Sequence, residues 1–172
     1  MKYGIAIFPS KKLQDMANAL RKRYDPHYAL IPPHITIKSA FEIDNEAEIA
    51  EIVGEINEIA KTIQPFSLHV YKVGSFHPVN NVIYFGVKPT SSLTELHDKL
   101  NEGKLKREEP YNFVPHITIA QGLSDDEHAD VYGSLKLRNM NHEETIDRFQ
   151  LLYQLENESW TVYETFHLGR ED

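Results

Sequence analysis

The sequence predicts an α+β fold, and three observations carry that prediction. Short segments alternate apolar and polar residues, the period of half-buried strands, and between them lie capped amphipathic helices. The word Pro-His-Ile-Thr-Ile occurs at 33–37 and again at 115–119, which points to an internal repeat. The C-terminal stretch reads as a hairpin, with alternating runs at 146–155 and 160–168 and a turn at 156–159. This order mixes helices with antiparallel hairpins and does not suit a doubly wound parallel sheet.

Taken in order, residues 2–8 form an apolar strand closed by Pro9. Ser10 caps a helix that turns Leu13, Met16, Ala17 and Leu20 to one side, and Asp25-Pro26 ends it. The first copy of the repeated word opens a strand reaching about Phe41. Pro33 is tolerated there because the first residue of a strand need not donate to the ladder. Asn45 with Glu48 starts a second helix, whose wide apolar face runs from Ile49 to Ile63. Gln64-Pro65 breaks it, and Phe66, Leu68 and Val70 alternate along the next strand. A loop at 74–81 precedes a strand at 82–87 and a third helix at 90–104, with Leu93, Leu96 and Leu100 inward. A loop at 106–114 leads to the second copy. Ser124 and Glu127 form a capping box for a fourth helix carrying Ala129, Tyr132 and Leu135.

The repeat extends beyond the shared word. Pro9, Leu13 and Leu20 match Pro89, Leu93 and Leu100 at one offset, and His34 matches His116 two residues later. A strand–helix–strand unit at about 3–63 thus recurs at about 84–136, within a single domain spanning 1–172. In each copy the isoleucines (Ile35 and Ile37, Ile117 and Ile119) point to a core. His34 and Thr36, and likewise His116 and Thr118, occupy the opposite face. Two such units facing each other bring two imidazoles and two hydroxyls to a shared cleft.

Composition narrows what that cleft can serve. The chain has 172 residues, 41% of them hydrophobic, enough for a real core. It has no cysteine, so disulfides and thiolate metal sites are excluded. The N-terminal apolar run is too short for a signal-peptide core, and no segment approaches membrane-spanning length; the expectation is a cytoplasmic protein without a membrane partner. A net charge of −8 argues against long duplex nucleic acid, whose binding depends on neutralised phosphates. The basic clusters Arg21-Lys22-Arg23 and Lys104-Lys106-Arg107 read first as solvated helix ends, though they occupy similar places in the two copies. Nothing in the pattern speaks to oligomeric state.

A single His-x-Thr is a weak signal; a pair at matching points of a repeat is a stronger one. Imidazole gives or takes a proton near neutral pH, and two of them can act as acid and base on opposite sides of a reacting centre. Threonine hydroxyls two residues away suit the non-bridging oxygens of a phosphate. Zinc is the rival chemistry, but two histidines fall short of its three or four protein ligands, so neither a metal nor a cofactor is expected. Lys38 lies along the same strand and is a candidate phosphate contact, beside its ordinary reading as an exposed strand lysine. Tyr111 and Phe113 precede the second word and are candidates for stacking a base, against core packing as the alternative.

The spaced pair His34-Ile35-Thr36-Ile37 and His116-Ile117-Thr118-Ile119 resembles the 2H phosphoesterase superfamily, which includes LigT-like 2′-5′ RNA ligases and 2′,3′-cyclic phosphodiesterases. The versions PPHITIK and VPHITIA look like its bacterial YjcG-like branch. The resemblance implies a bilobal, interwoven α+β fold, with two antiparallel sheets facing a central cleft and helices outside. It also implies metal-independent phosphoester chemistry on an RNA end or small nucleotide. His34 would be the proton donor, His116 the acceptor, and Thr36 and Thr118 the holders of the phosphoryl oxygens. A catalytically weak module that binds nucleotides or RNA ends in the same cleft is the other class the pattern allows.

Overall fold

Local chemistry sets most of the element boundaries. The computed structural model describes residues 1–107 and 112–170. β1 (Lys2–Ile7) is almost wholly buried, as befits a strand with neighbours on both sides. α1 (Lys11–Tyr24) starts at Ser10, whose Oγ accepts the Leu13 N–H at 3.4 Å, and ends at Asp25. β2 (Ile35–Glu42) follows. α2 (Glu46–Lys61) is capped by Asn45, which accepts the Glu48 N–H at 2.8 Å. β3 (Phe66–Ser75) and β4 (Ile83–Val87) precede α3 (Ser91–Leu100), and Thr90 caps that helix. β5 (His116–Ala120) leads to α4 (Asp125–Leu135), where Ser124 and Glu127 make the expected capping box. β6 (His142–Ile146), β7 (Arg148–Gln154) and β8 (Trp160–His167) complete the chain.

The strands form two four-stranded antiparallel sheets, ordered β2-β1-β7-β8 and β5-β4-β3-β6. The fold is therefore α+β, with helices and antiparallel sheets as expected. The sheets interweave. β3 follows α2 but joins the sheet of β4 and β5, and β7 follows α4 but joins that of β1 and β2. The crossover helices do likewise: α1 packs along β5, and α3 along β2. Ile35, Ile37, Ile117 and Ile119 are essentially inaccessible to water, so the apolar side of each repeated word lies in the core.

In α4 the buried residue is His128, while Ala129 is exposed. Three details differ from the sequence expectations. The third helix stops at Leu100 rather than 104, because Asn101 caps it and Gly103 takes a left-handed φ of 58° to begin a 3₁₀ turn at Gly103–Leu105. β6 was not expected. Its residues, His-Glu-Glu-Thr-Ile, alternate half-buried and exposed, but Ile146 is the one apolar residue among them, so no apolar alternation marks the strand. Arg21 is no solvated helix end: it is 2% exposed and paired with Asp25.

Candidate active site

The two repeated words come together. β2 and β5 are each the outer strand of a different sheet, and they lie in contact with one another. Two adjoining cavities open along this junction. One, of about 270 Å³, is lined by His34, Thr36 and Thr118; the other, of about 610 Å³, by Thr36, His116 and Thr118. Both threonines belong to both cavities, so the hydroxyls sit where the two halves of the cleft meet.

Each histidine is oriented by its own chain. His34 Nδ1 is 2.8 Å from the Pro32 carbonyl, and His116 Nδ1 is 2.6 Å from the Val114 carbonyl. A carbonyl only accepts, so Nδ1 carries the proton and Nε2 presents its lone pair. The proline between carbonyl and histidine has a reason. It biases the preceding residue toward extended backbone, which fixes where that carbonyl points. Among the described residues neither Nε2 has a hydrogen-bond partner.

Their surroundings diverge. His34 keeps one edge on the cleft but is otherwise packed in protein. Burial pushes its imidazole from the ordinary 6.5 down to about 4; the Arg21 guanidinium and His116 act in the same direction, and the Pro32 carbonyl and Asp25 oppose them. His116 is also lowered by burial, against its bond to Val114. Its ring meets Phe76 edge-on at 4.9 Å and lies 5.3 Å from Tyr84. Gly74 makes room for that arrangement, since a Cβ there would stand 2.7 Å from the Tyr84 ring.

A buried ion pair links the approaches to both words. Arg21 Nε bonds Asp25 Oδ2 at 3.2 Å, and its Nη2 donates to the Ile31 carbonyl at 2.6 Å, just ahead of His34. Asp25 Oδ1 accepts Gln121 Nε2 at 2.9 Å, just beyond β5. Lys38 is buried rather than exposed. Its ammonium donates to Asn101 Oδ1 and to the Leu105 carbonyl, so it ties β2 to the end of α3 while lining the smaller cavity. Phe113 lines the larger cavity and stacks on His97, with centroids 4.0 Å apart and planes 7° apart. Tyr111 lies outside the described residues.

Sequence reasoning passed over Asp25, Gln121, Phe76 and Trp160, all of which line the cleft or brace it, and ranked Arg21 first as a solvated helix end although it lines the cleft too. The Arg–Asp spacing of four on a helix was the one available signal for the pair. Among the described residues no group of three or more His, Cys, Asp or Glu is arranged to hold a metal ion. No helix among them is long and apolar enough to cross a membrane.

Comparison with solved structures identifies the architecture as that of LigT. The apo form of Escherichia coli LigT superposes with a TM-score of 0.73 at 18% identity, covering 98% of each chain. A Thermus thermophilus protein, TT0787, superposes with a TM-score of 0.72 at 17% identity over the whole of both chains. At that identity the likeness shows the fold alone. The sequence itself goes further: residues 8–158 match the family model of the 2′-5′ RNA ligase superfamily, and the chain belongs to that family. A Bacillus cytotoxicus protein named "Putative phosphoesterase" is 61% identical over 170 residues, 99% of this chain and 98% of its own. A Bacillus licheniformis protein of the same description is 59% identical over 169 residues, 98% of this chain and 99% of its own.

Proposed function

We propose that the protein is a metal-independent phosphoesterase that opens a cyclic or 2′-5′ phosphodiester of an RNA end or small nucleotide. The observation that carries this reading is the pair of carbonyl-anchored imidazoles, each with an Nε2 that no described residue bonds, flanking two shared threonine hydroxyls. Structures of E. coli LigT with 3′-AMP, ATP, NADP+ and phosphate make nucleotides reasonable ligands to test. The net charge of −8 disfavours a long nucleic-acid footprint.

In hydrolysis of a cyclic phosphate, His116 Nε2 takes a proton from water as the water oxygen bonds phosphorus. His34 Nε2 gives a proton to the ribose oxygen as its bond to phosphorus breaks. Thr36 and Thr118 donate to the non-bridging oxygens as charge builds on them. Ligation runs the same transfers backwards. Burial leaves both rings neutral at pH 7 before substrate arrives, so His34 must gain its proton as the anionic diester enters. The negative charge held between the rings favours that uptake.

Phosphorus NMR tests the reading, using 2′,3′-cyclic nucleotides and cyclic-ended short RNAs in chelator. Wild type turns over, while His34→Ala and His116→Ala do not. Near-normal turnover by His34→Ala overturns the assignment. Binding without turnover by wild type makes the protein a nucleotide-binding module.

A further inference from the structure

The smaller cavity continues past His34 over one face of the first sheet. Ala6 lies opposite Thr36 in β2, and Gly4 lies opposite Leu152 in β7; directly paired residues share a face, and all four line this cavity. β1 is a central strand, where β-branched side chains are usual, yet beyond the exposed Lys2 at its start this face carries Gly4 and Ala6. Glycine inside a strand marks a place where another group approaches closely.

Above that floor stands Trp160, the first residue of β8. A Cβ on Gly4 would sit 3.7 Å from its Cζ3, so the indole crosses the glycine. Its backbone N–H donates to the Leu30 carbonyl at 2.8 Å, which fixes the start of β8 against the loop leading to His34. Trp160 is half-buried, with its ring on the cavity rather than in the core. His27 and Gln121 give the rim polar edges. A flat slot of small residues beside an indole, with hydrogen-bonding groups at its border, matches a heteroaromatic ring.

We propose that this half of the cleft is a nucleobase subsite, in which the base stacks on Trp160, whose indole covers Gly4, and its phosphate reaches the two threonines. The inference rests on the nucleotide reading above and adds which half of the cleft takes the base. It places the base on the side opposite Phe113.

Trp160 is the chain's one tryptophan, so its fluorescence reports this subsite directly. Wild type is titrated with 3′-AMP and with inorganic phosphate, and binding is followed separately by phosphorus NMR line width. 3′-AMP quenches Trp160 saturably and phosphate does not. Trp160→Leu weakens 3′-AMP by about 5- to 150-fold, the range expected for one stacked base, and leaves phosphate binding unchanged. Gly4→Val sets its γ-methyls against the indole, moving the stacking face while keeping the tryptophan, and gives the same selective loss, so the test survives if Trp160→Leu fails to fold. Should 3′-AMP bind without a fluorescence change and be weakened by Phe113→Ala instead, the subsite is overturned and the phosphoesterase reading stands. Absence of 3′-AMP binding by either method overturns both.

Discussion

His34 and His116 occupy the same five-residue word, and each donates Nδ1–H to the carbonyl two residues upstream. Their neighbours are unlike. His34 stands beside the buried Arg21–Asp25 pair in the polar half of the cleft, whereas His116 is enclosed by Phe76 and Tyr84 in the apolar half. Burial lowers both rings, but at His34 a nearby guanidinium and the second imidazole add to it. Repetition supplies two equivalent bases, and tertiary neighbours make them chemically different. Before substrate binds, that difference disfavours a proton on His34, so the donor role proposed for it depends on the proton uptake that an anionic diester induces.

The comparison breaks most decisively at the rings themselves. His34→Ala and His116→Ala should each lower kcat by roughly 100- to 10,000-fold. The double variant should lose little more than the worse single one, because the two rings act as a unit. Phosphorus NMR turnover measures all three.

Next in size is the ion pair that sits by only one of the rings. Asp25→Asn leaves the Arg21 guanidinium buried without its carboxylate and should cost about 3–5 kcal/mol in urea unfolding. It should also move the His34 titration lower still, since Asp25 favours the protonated ring. Arg21→Met combined with Asp25→Asn should recover most of the stability; no recovery would mean that the pair's individual hydrogen bonds matter more than its charge balance.

The pH dependence of stability sharpens the contrast. His34 binds its proton less readily folded, at about 4, than unfolded, at 6.5. Its favourable contribution is therefore complete above pH 6.5 and is lost as pH falls from 6.5 through 4, because the unfolded chain takes up the proton first. The full shift corresponds to ~3 kcal/mol. Urea midpoints at pH 7 and 4.5 should differ in wild type and differ less in His34→Gln, where His116 is still lowered by burial. Adding inorganic phosphate should raise the His34 midpoint seen by proton NMR. If His116 alone responds, the donor and acceptor roles are reversed.

Smaller effects belong to the groups that the two halves share or that touch one ring only. Thr36→Val and Thr118→Val should each reduce kcat/KM by about 10- to 150-fold, the loss of one hydrogen bond to a charged group, and by similar amounts because both threonines line both cavities. Phe76→Leu should cost about 1 kcal/mol of stability through the lost ring contact and leave the His34 titration in place. A shift at His34 in that variant would show that the two environments are coupled.

Much of this site was legible in the chain. Alternation around Ile35, Ile37, Ile117 and Ile119 identified the buried side of each word, and the caps at Ser10, Asn45 and Ser124 identified helix starts. These are local features, fixed by residues within a turn or a pleat of one another. Lys38 shows where that reasoning ends. It keeps its place on the face of His34 and Thr36, but Asn101 and Leu105 supply partners from far along the chain, so the residue read as a phosphate contact or an exposed lysine is a buried tie that lines the smaller cavity. β6 was missed because Ile146 is its one apolar residue, so its alternation of half-buried and exposed positions leaves no apolar period to read.

The sequence by itself determined the paired His and Thr groups, their strand faces and the tautomer-fixing proline before each histidine, since all of these depend on neighbours within a few residues. Tertiary structure alone decided that β3 and β7 exchange sheets, that α1 and α3 each brace the opposite word, and that Arg21, Asp25 and Trp160 stand at the cleft. Those relations join residues separated by many tens of positions. They are set by which buried faces and polar partners satisfy one another on packing, and no periodicity along the chain encodes them.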